Sequence, residues 1–151
     1  MIEPGVRAPG FSLPDQDGTP VGLADFAGRK LVLAFYPLDF SPVCTDQLSL
    51  YQEVLGELEG TGASLVGVSV DSPFCHRAFR EQRGLTMPLL ADFHPKGEVS
   101  RAYGVYSEKW GSAKRSLVLV DEGGTVRWSH SARGDEIPGA NLIFDALALP
   151  V

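Results

Sequence analysis

The chain has little cysteine, methionine or tryptophan: two of each in 151 residues. Two cysteines are too few for a secreted disulfide scaffold, and a chain of this length buries enough surface to fold without such staples. It has no cluster of lysine and arginine. The net charge is −6 and the isoelectric point is near 5.0. An acidic chain of this kind is a poor ligand for nucleic acid or an anionic membrane surface. No apolar run approaches the roughly 18 residues of a spanning helix. The first residues, MIEPGVRAPG, contain neither a basic nor an apolar block, so no signal peptide is expected and the expected compartment is the cytoplasm. Linkers, low-complexity segments and internal repeats are also missing, which predicts one domain over 1–151.

What is present is a globular composition, 44% hydrophobic and 21% charged, with 17 glycines and 11 prolines that predict many tight turns. Phe11 to Val21 reads as two short extended pieces around Asp17-Gly18. Lys30 to Tyr36 and Ala63 to Val70 are nearly continuous apolar runs, the pattern of strands buried on both faces. Pro42 to Glu59 carries Leu48, Tyr51, Leu55 and Leu58 at spacings of three and four, which predicts one amphipathic helix. Pro73 to Arg83 predicts a second, stopped by Gly84. Pro88 to Phe93 reads as a short strand and Lys96 to Tyr103 as a short helix. Ser116 to Val120 and Thr125 to Trp128 flank the turn Glu122-Gly123-Gly124, a hairpin signal. Asn141 to Leu149 closes the chain as a helix. Strand, helix, strand in this order implies a right-handed parallel crossover. The fold class is therefore α/β, thioredoxin-like, with a mixed central sheet and helices on both faces.

The two cysteines share one local pattern. Ser41-Pro42-Val43-Cys44 and Ser72-Pro73-Phe74-Cys75 each follow a buried strand and open a helix. Serine suits the N-cap, proline the first helical position, and each cysteine then falls in the first turn. Free N–H groups and the helix dipole there favour an anion, hence the reactive thiolate. Each cysteine also has a bland reading as a small buried hydrophobe. His76, His94 and His130 match no zinc-ligand spacing with them, so no metal or cofactor is expected. Trp110, Trp128, Tyr103, Tyr106 and Phe40 read as core or contact surface.

The segment Pro37-Leu38-Asp39-Phe40-Ser41-Pro42-Val43-Cys44 resembles the Pro-x-x-x-Thr/Ser-x-x-Cys motif of peroxiredoxins. So do Gly5-x-x-Ala8-Pro9-x-Phe11-x-Leu13, Val68 to Ser72, Pro88 to Asp92, and Arg115 heading the strand Ser116 to Val120. The similarity spans nearly the whole chain and is nearest to the compact AhpE-like and bacterioferritin-comigratory (PrxQ-like) subgroups. It implies a thiol-dependent peroxidase acting on hydrogen peroxide and organic hydroperoxides. Cys44 would be the peroxidatic nucleophile and Arg115 the cation beside it. Ser41 would bond the peroxide, and Pro37 would shield the thiolate. Ser41 stands where most such proteins carry threonine, and Gln47 where many carry glutamate.

The sulfenic acid left on Cys44 must condense with a second thiol. Either Cys75 resolves it internally, or an external thiol does: thioredoxin, glutaredoxin or a low-molecular-weight thiol. The implied assembly is a monomer, or a homodimer through Phe40 and the Tyr106 to Trp110 stretch. Two rivals remain. A disulfide reductase would want Cys-x-x-Cys, but Gln47 stands three residues after Cys44. A redox sensor or binding module would use the same reactive Cys44 without efficient turnover.

Overall fold

The computed structural model describes residues 1–133 and 135–149. Its centre is a five-stranded sheet built from β3 (Leu31–Phe35), β4 (Ser64–Ser69), β5 (Leu89–Ala91), β8 (Ser116–Val120) and β9 (Val126–Ser131). Their spatial order is β5-β4-β3-β8-β9. The pairs β3–β4 and β4–β5 are parallel, while β3–β8 and β8–β9 are antiparallel, so the sheet is mixed as expected. β3, the central strand, is buried at all five positions, which explains why its sequence shows no polar alternation.

Alternate side chains divide the interior. Val32, Ala34 and Tyr36 face one layer, where α1 (Pro42–Glu53), α2 (Leu55–Gly60), α3 (Pro73–Arg83) and α5 (Ala140–Leu147) contribute Leu48, Tyr51, Leu58, Phe79 and Ile143. Leu31, Leu33 and Phe35 face the other. There α4 (Glu98–Ala102) supplies Val99, and the N-terminal hairpin of β1 (Ser12–Pro14) and β2 (Pro20–Gly22) supplies Leu13. Helices thus lie on both faces.

Three local details differ from the sequence reading. Pro42 to Glu59 is two helices, interrupted at Val54, which has φ −106° and ψ 5°. Val54 is β-branched and Gly56 follows, both weak helix formers. The break still leaves Tyr51, Leu55 and Leu58 buried. A small hairpin, β6 (Tyr106–Ser107) with β7 (Ser112–Ala113), was not expected, because two-residue strands are too short to show a period. β9 runs on past Trp128 to Ser131, carrying polar residues that suit a sheet edge.

Candidate active site

The loop after β3 and the first turn of α1 carry the motif. Cys44 occupies the third position of α1 and exposes none of its surface. Arg115, just before β8, lies opposite, because β3 and β8 are paired with Phe35 beside Ser116. Arg115 is 94% buried, and its Nη1 donates to Cys44 Sγ at 3.3 Å. The sulfur thus has a buried cation as its near neighbour. The same Nη1 donates to Gln47 Oε1 at 2.5 Å. Gln47 Nε2 donates to the Tyr51 hydroxyl at 3.1 Å, and that hydroxyl donates to Pro138 O at 2.8 Å. Cys44, Gln47 and Tyr51 sit at spacings of three and four on one face of α1, all fully buried. Burial pushes the Tyr51 hydroxyl up to about 12, so it stays protonated as a donor. A neutral amide in this chain leaves the guanidinium charge undivided, where a carboxylate at Gln47 would take part of it. Arg115 Nε is buried and has no hydrogen-bond partner among the described residues.

The two Ser-Pro-x-Cys helix starts differ in a way their sequences do not show. Ser72 behaves as expected: its Oγ accepts from Cys75 N at 3.2 Å. Ser41 stands at the N-cap position but makes no side-chain cap. Its hydroxyl donates instead to Leu38 O at 3.0 Å, closing the loop on itself. Ser41 therefore keeps the N-cap position but not the side-chain cap expected of it. The Cys44 N–H is left uncapped by Ser41, at the end of a helix where an anion is favoured.

The sulfurs also differ in their neighbours. Cys75 Sγ lies 3.7 Å from Asp71 Oδ1, as a thiol donating to a carboxylate. Burial first, then the negative charges of Asp39 and Asp71, push the Cys75 thiol up to about 12. One cysteine faces a guanidinium and the other a carboxylate, and both are free thiols.

Pro37 is half-buried and ends β3, opening the loop to Ser41. Within that loop Asp39 is 93% buried and Phe40 adopts φ +66°. For an aromatic residue this left-handed conformation costs about 1–3 kcal/mol and needs its surroundings to hold it. The Phe40 ring packs on Phe79 of α3, centroids 5.1 Å apart. Asp39, Asp71 and Cys75 bring metal-ligand atoms within 4.8 Å of one another. Asp39, however, already accepts from Tyr36 and bonds His76, while Asp71 accepts from Ser69 and the Asp39 amide, so hydrogen bonds account for the cluster. Among the aromatics, Tyr103 is buried and Trp128 packs on the core, while Trp110 and Phe40 are exposed.

The sequence reading brought out Cys44, Arg115, Ser41 and Pro37, and noted Gln47. It missed Tyr51 as a polar partner, since at helical spacing an aromatic reads as core. It also missed Asp39 and His76, whose partners lie 37 residues apart in sequence.

The AhpC/TSA family profile matches residues 4–129, from the N-terminal hairpin through the Cys44 loop to β9. The chain belongs to the AhpC/TSA family, the peroxiredoxins. It is 38% identical over 149 residues to alkyl hydroperoxide reductase E of Mycobacterium tuberculosis, covering 98% of this chain and 97% of that protein. It is 34% identical over 131 residues to the peroxiredoxin bcp of Coxiella burnetii, covering 83% and 85%. The crystal structure of peroxidoxin BcpB from Mycobacterium tuberculosis superposes with a TM-score of 0.88 at 29% identity, covering 97% of both chains. These relatives agree with the thioredoxin-like fold class, and the peroxiredoxin resemblance read from the motifs is confirmed.

Proposed function

We propose that this peroxiredoxin is a thiol-dependent peroxidase in which Cys44 attacks the peroxide and Arg115 holds the charge. The observation that carries the reading is the buried guanidinium 3.3 Å from the Cys44 sulfur. A cation at that distance favours the thiolate, the nucleophilic form, and opposes the cost of burying it. The thiolate sulfur forms a bond to one peroxide oxygen as the O–O bond breaks. The other oxygen takes the electron pair and a proton and leaves as water or an alcohol. Cys44 is left as a sulfenic acid. Charge developing on the leaving oxygen needs preorganised donors. The spare guanidinium N–H groups and the uncapped first-turn amides are the available donors, and the Ser41 hydroxyl, which donates to Leu38 O, offers its oxygen to accept from the peroxide O–H. Pro37, half-buried at the start of the loop, is the residue assigned to shield the thiolate. Because Cys44 exposes no surface, peroxide reaches it only as neighbouring side chains move aside.

An external thiol recycles the enzyme. Cys75 holds its proton beside Asp71, and a thiol is a poor nucleophile toward a sulfenic acid. A thioredoxin, a glutaredoxin or a low-molecular-weight thiol instead condenses with the sulfenic acid, releasing water. A second thiol then releases Cys44. Recycling of this kind suits the cytoplasm, where such reductants are held reduced. The exposed rings of Phe40 and Trp110 favour a homodimer over a monomer. Residues 1–151 act as one domain in this reading.

Intact-mass analysis after one equivalent of peroxide tests the recycling step. The expected product is heavier by about sixteen mass units, a sulfenic acid awaiting an outside thiol. A loss of about two units would mean an internal disulfide with Cys75 and would overturn it. Cys75→Ser keeps the first oxidation step. Repeated turnover with added reductant separates the enzyme from a sensor that oxidises once.

A further inference from the structure

His76 follows Cys75 in α3 and is fully buried. Its Nε2 lies 3.0 Å from Leu90 O, and its Nδ1 lies 2.6 Å from Asp39 Oδ2. A carbonyl only accepts, so Nε2 carries a hydrogen. In a neutral ring Nδ1 would then present a bare lone pair to a carboxylate oxygen. At 2.6 Å that is repulsive, so a second proton must lie between them. The pair holds it whether it is written as imidazolium with carboxylate or as imidazole with carboxylic acid.

The neighbours all favour keeping that proton. Just past β3, the Tyr36 hydroxyl donates to Asp39 Oδ1 at 2.6 Å and lies 3.5 Å from Nδ1. Burial, then the Asp39 charge, hold Tyr36 protonated well above the ordinary tyrosine range. From the end of β4, Asp71 Oδ2 accepts from the Asp39 amide at 2.8 Å and from the Ser69 hydroxyl. From α3, the Cys75 thiol faces the other Asp71 oxygen. One carboxylate bonds the imidazole and a second lies behind it, and among the described residues no other cation is bonded to either.

We propose that His76 is a positioning residue for the Cys44 site: through the proton it shares with Asp39, it clamps the loop that carries Pro37 and Ser41. Asp39 lies midway along that loop and is tied to β3, to the end of β4 and to α3. The next residue is Phe40 in its left-handed conformation, which persists only if its neighbours fix it. Asp39 fixes it from one side and Phe79 from the other. Loss of the shared proton turns the His76–Asp39 contact repulsive and frees the loop. The donors set for the peroxide then lose their placement. The inference rests on the peroxidase reading for its consequence, but not for the proton.

Nitrogen-15 NMR of the imidazoles in the wild-type protein tests the proton directly. Both His76 nitrogens should carry hydrogen-bonded protons. A Nδ1 shift typical of a bare lone pair would overturn the proposal. Stopped-flow oxidation tests the positioning. His76→Asn should slow peroxide attack about 10- to 100-fold while the Cys44 thiolate absorbance is retained. In Asp39→Asn, the amide N–H can donate to a neutral Nδ1, so the bond survives without the extra proton. The wild-type rate should fall on the alkaline side as the pair deprotonates, and this variant should lack that fall. Should His76→Asn fail to fold, the Asp39→Asn profile still decides. Wild-type rates in His76→Asn, or the same alkaline fall in Asp39→Asn, would overturn it. Failure of the peroxidase reading would appear differently, as activity surviving in Cys44→Ser with His76 still doubly protonated.

Discussion

Replacing Cys44 with serine should reduce peroxide consumption to the buffer background, a loss on the order of 10⁴-fold or more. Serine keeps the shape of the site and can still accept from Arg115, so the fold should survive and circular dichroism should be unchanged. What is lost is the nucleophile. A hydroxyl stays protonated at neutral pH even beside a guanidinium, and oxygen is a far weaker nucleophile toward an O–O bond. Peroxide consumption with excess thiol reductant reads the loss directly. Full activity in Cys44→Ser would mean that the chemistry lies elsewhere. Cys75 would then be the remaining thiol, in a setting that opposes ionisation.

Arg115→Ala should slow the peroxide reaction by about 10²–10³-fold, in the range for removing a preorganised charge donor. Two opposing magnitudes decide it. Burying a thiolate at a site with no exposed surface costs several kcal/mol. A unit positive charge 3.3 Å away returns about 5 kcal/mol at an effective dielectric of about 20. Without the arginine only the start of α1 is left to offset that burial. Gln47 Oε1 also loses its donor, which loosens the Gln47–Tyr51–Pro138 chain. Arg115→Lys should fall between, since an ammonium keeps the charge but not the planar fork that serves Cys44 and Gln47 together. Second-order rate constants from stopped-flow fluorescence check the series. An unchanged rate in Arg115→Ala would show that the charge on the sulfur is balanced by another group.

Much of this site was legible before any coordinates. A buried strand, a Ser-Pro step and a cysteine in the first turn are local signals, and local chemistry writes them into adjacent residues. The mixed sheet with helices on both faces followed from the same signals, because a continuous apolar run such as Leu31 to Phe35 needs cover on both faces. Arg115 was legible only through family resemblance. A lone arginine 71 residues from Cys44 carries no mark of the antiparallel β3–β8 pairing that brings it close. The contrast between the two helix starts was not legible at all. Ser41 and Ser72 share the Ser-Pro-x-Cys pattern, yet Ser72 caps its helix and Ser41 closes a loop. The Asp39–His76 contact was hidden too: the two residues meet only after β4 and α3 have packed beside the Cys44 loop.

The central claim is that Cys44 is held as a thiolate at neutral pH by Arg115 and the start of α1. Ultraviolet thiolate absorbance of the reduced protein, with Cys44→Ser as the blank, measures that directly. The account predicts one thiolate per chain at neutral pH, absent from Cys44→Ser and lost in Arg115→Ala. A spectrum identical to that of Cys44→Ser until well above neutrality would contradict it.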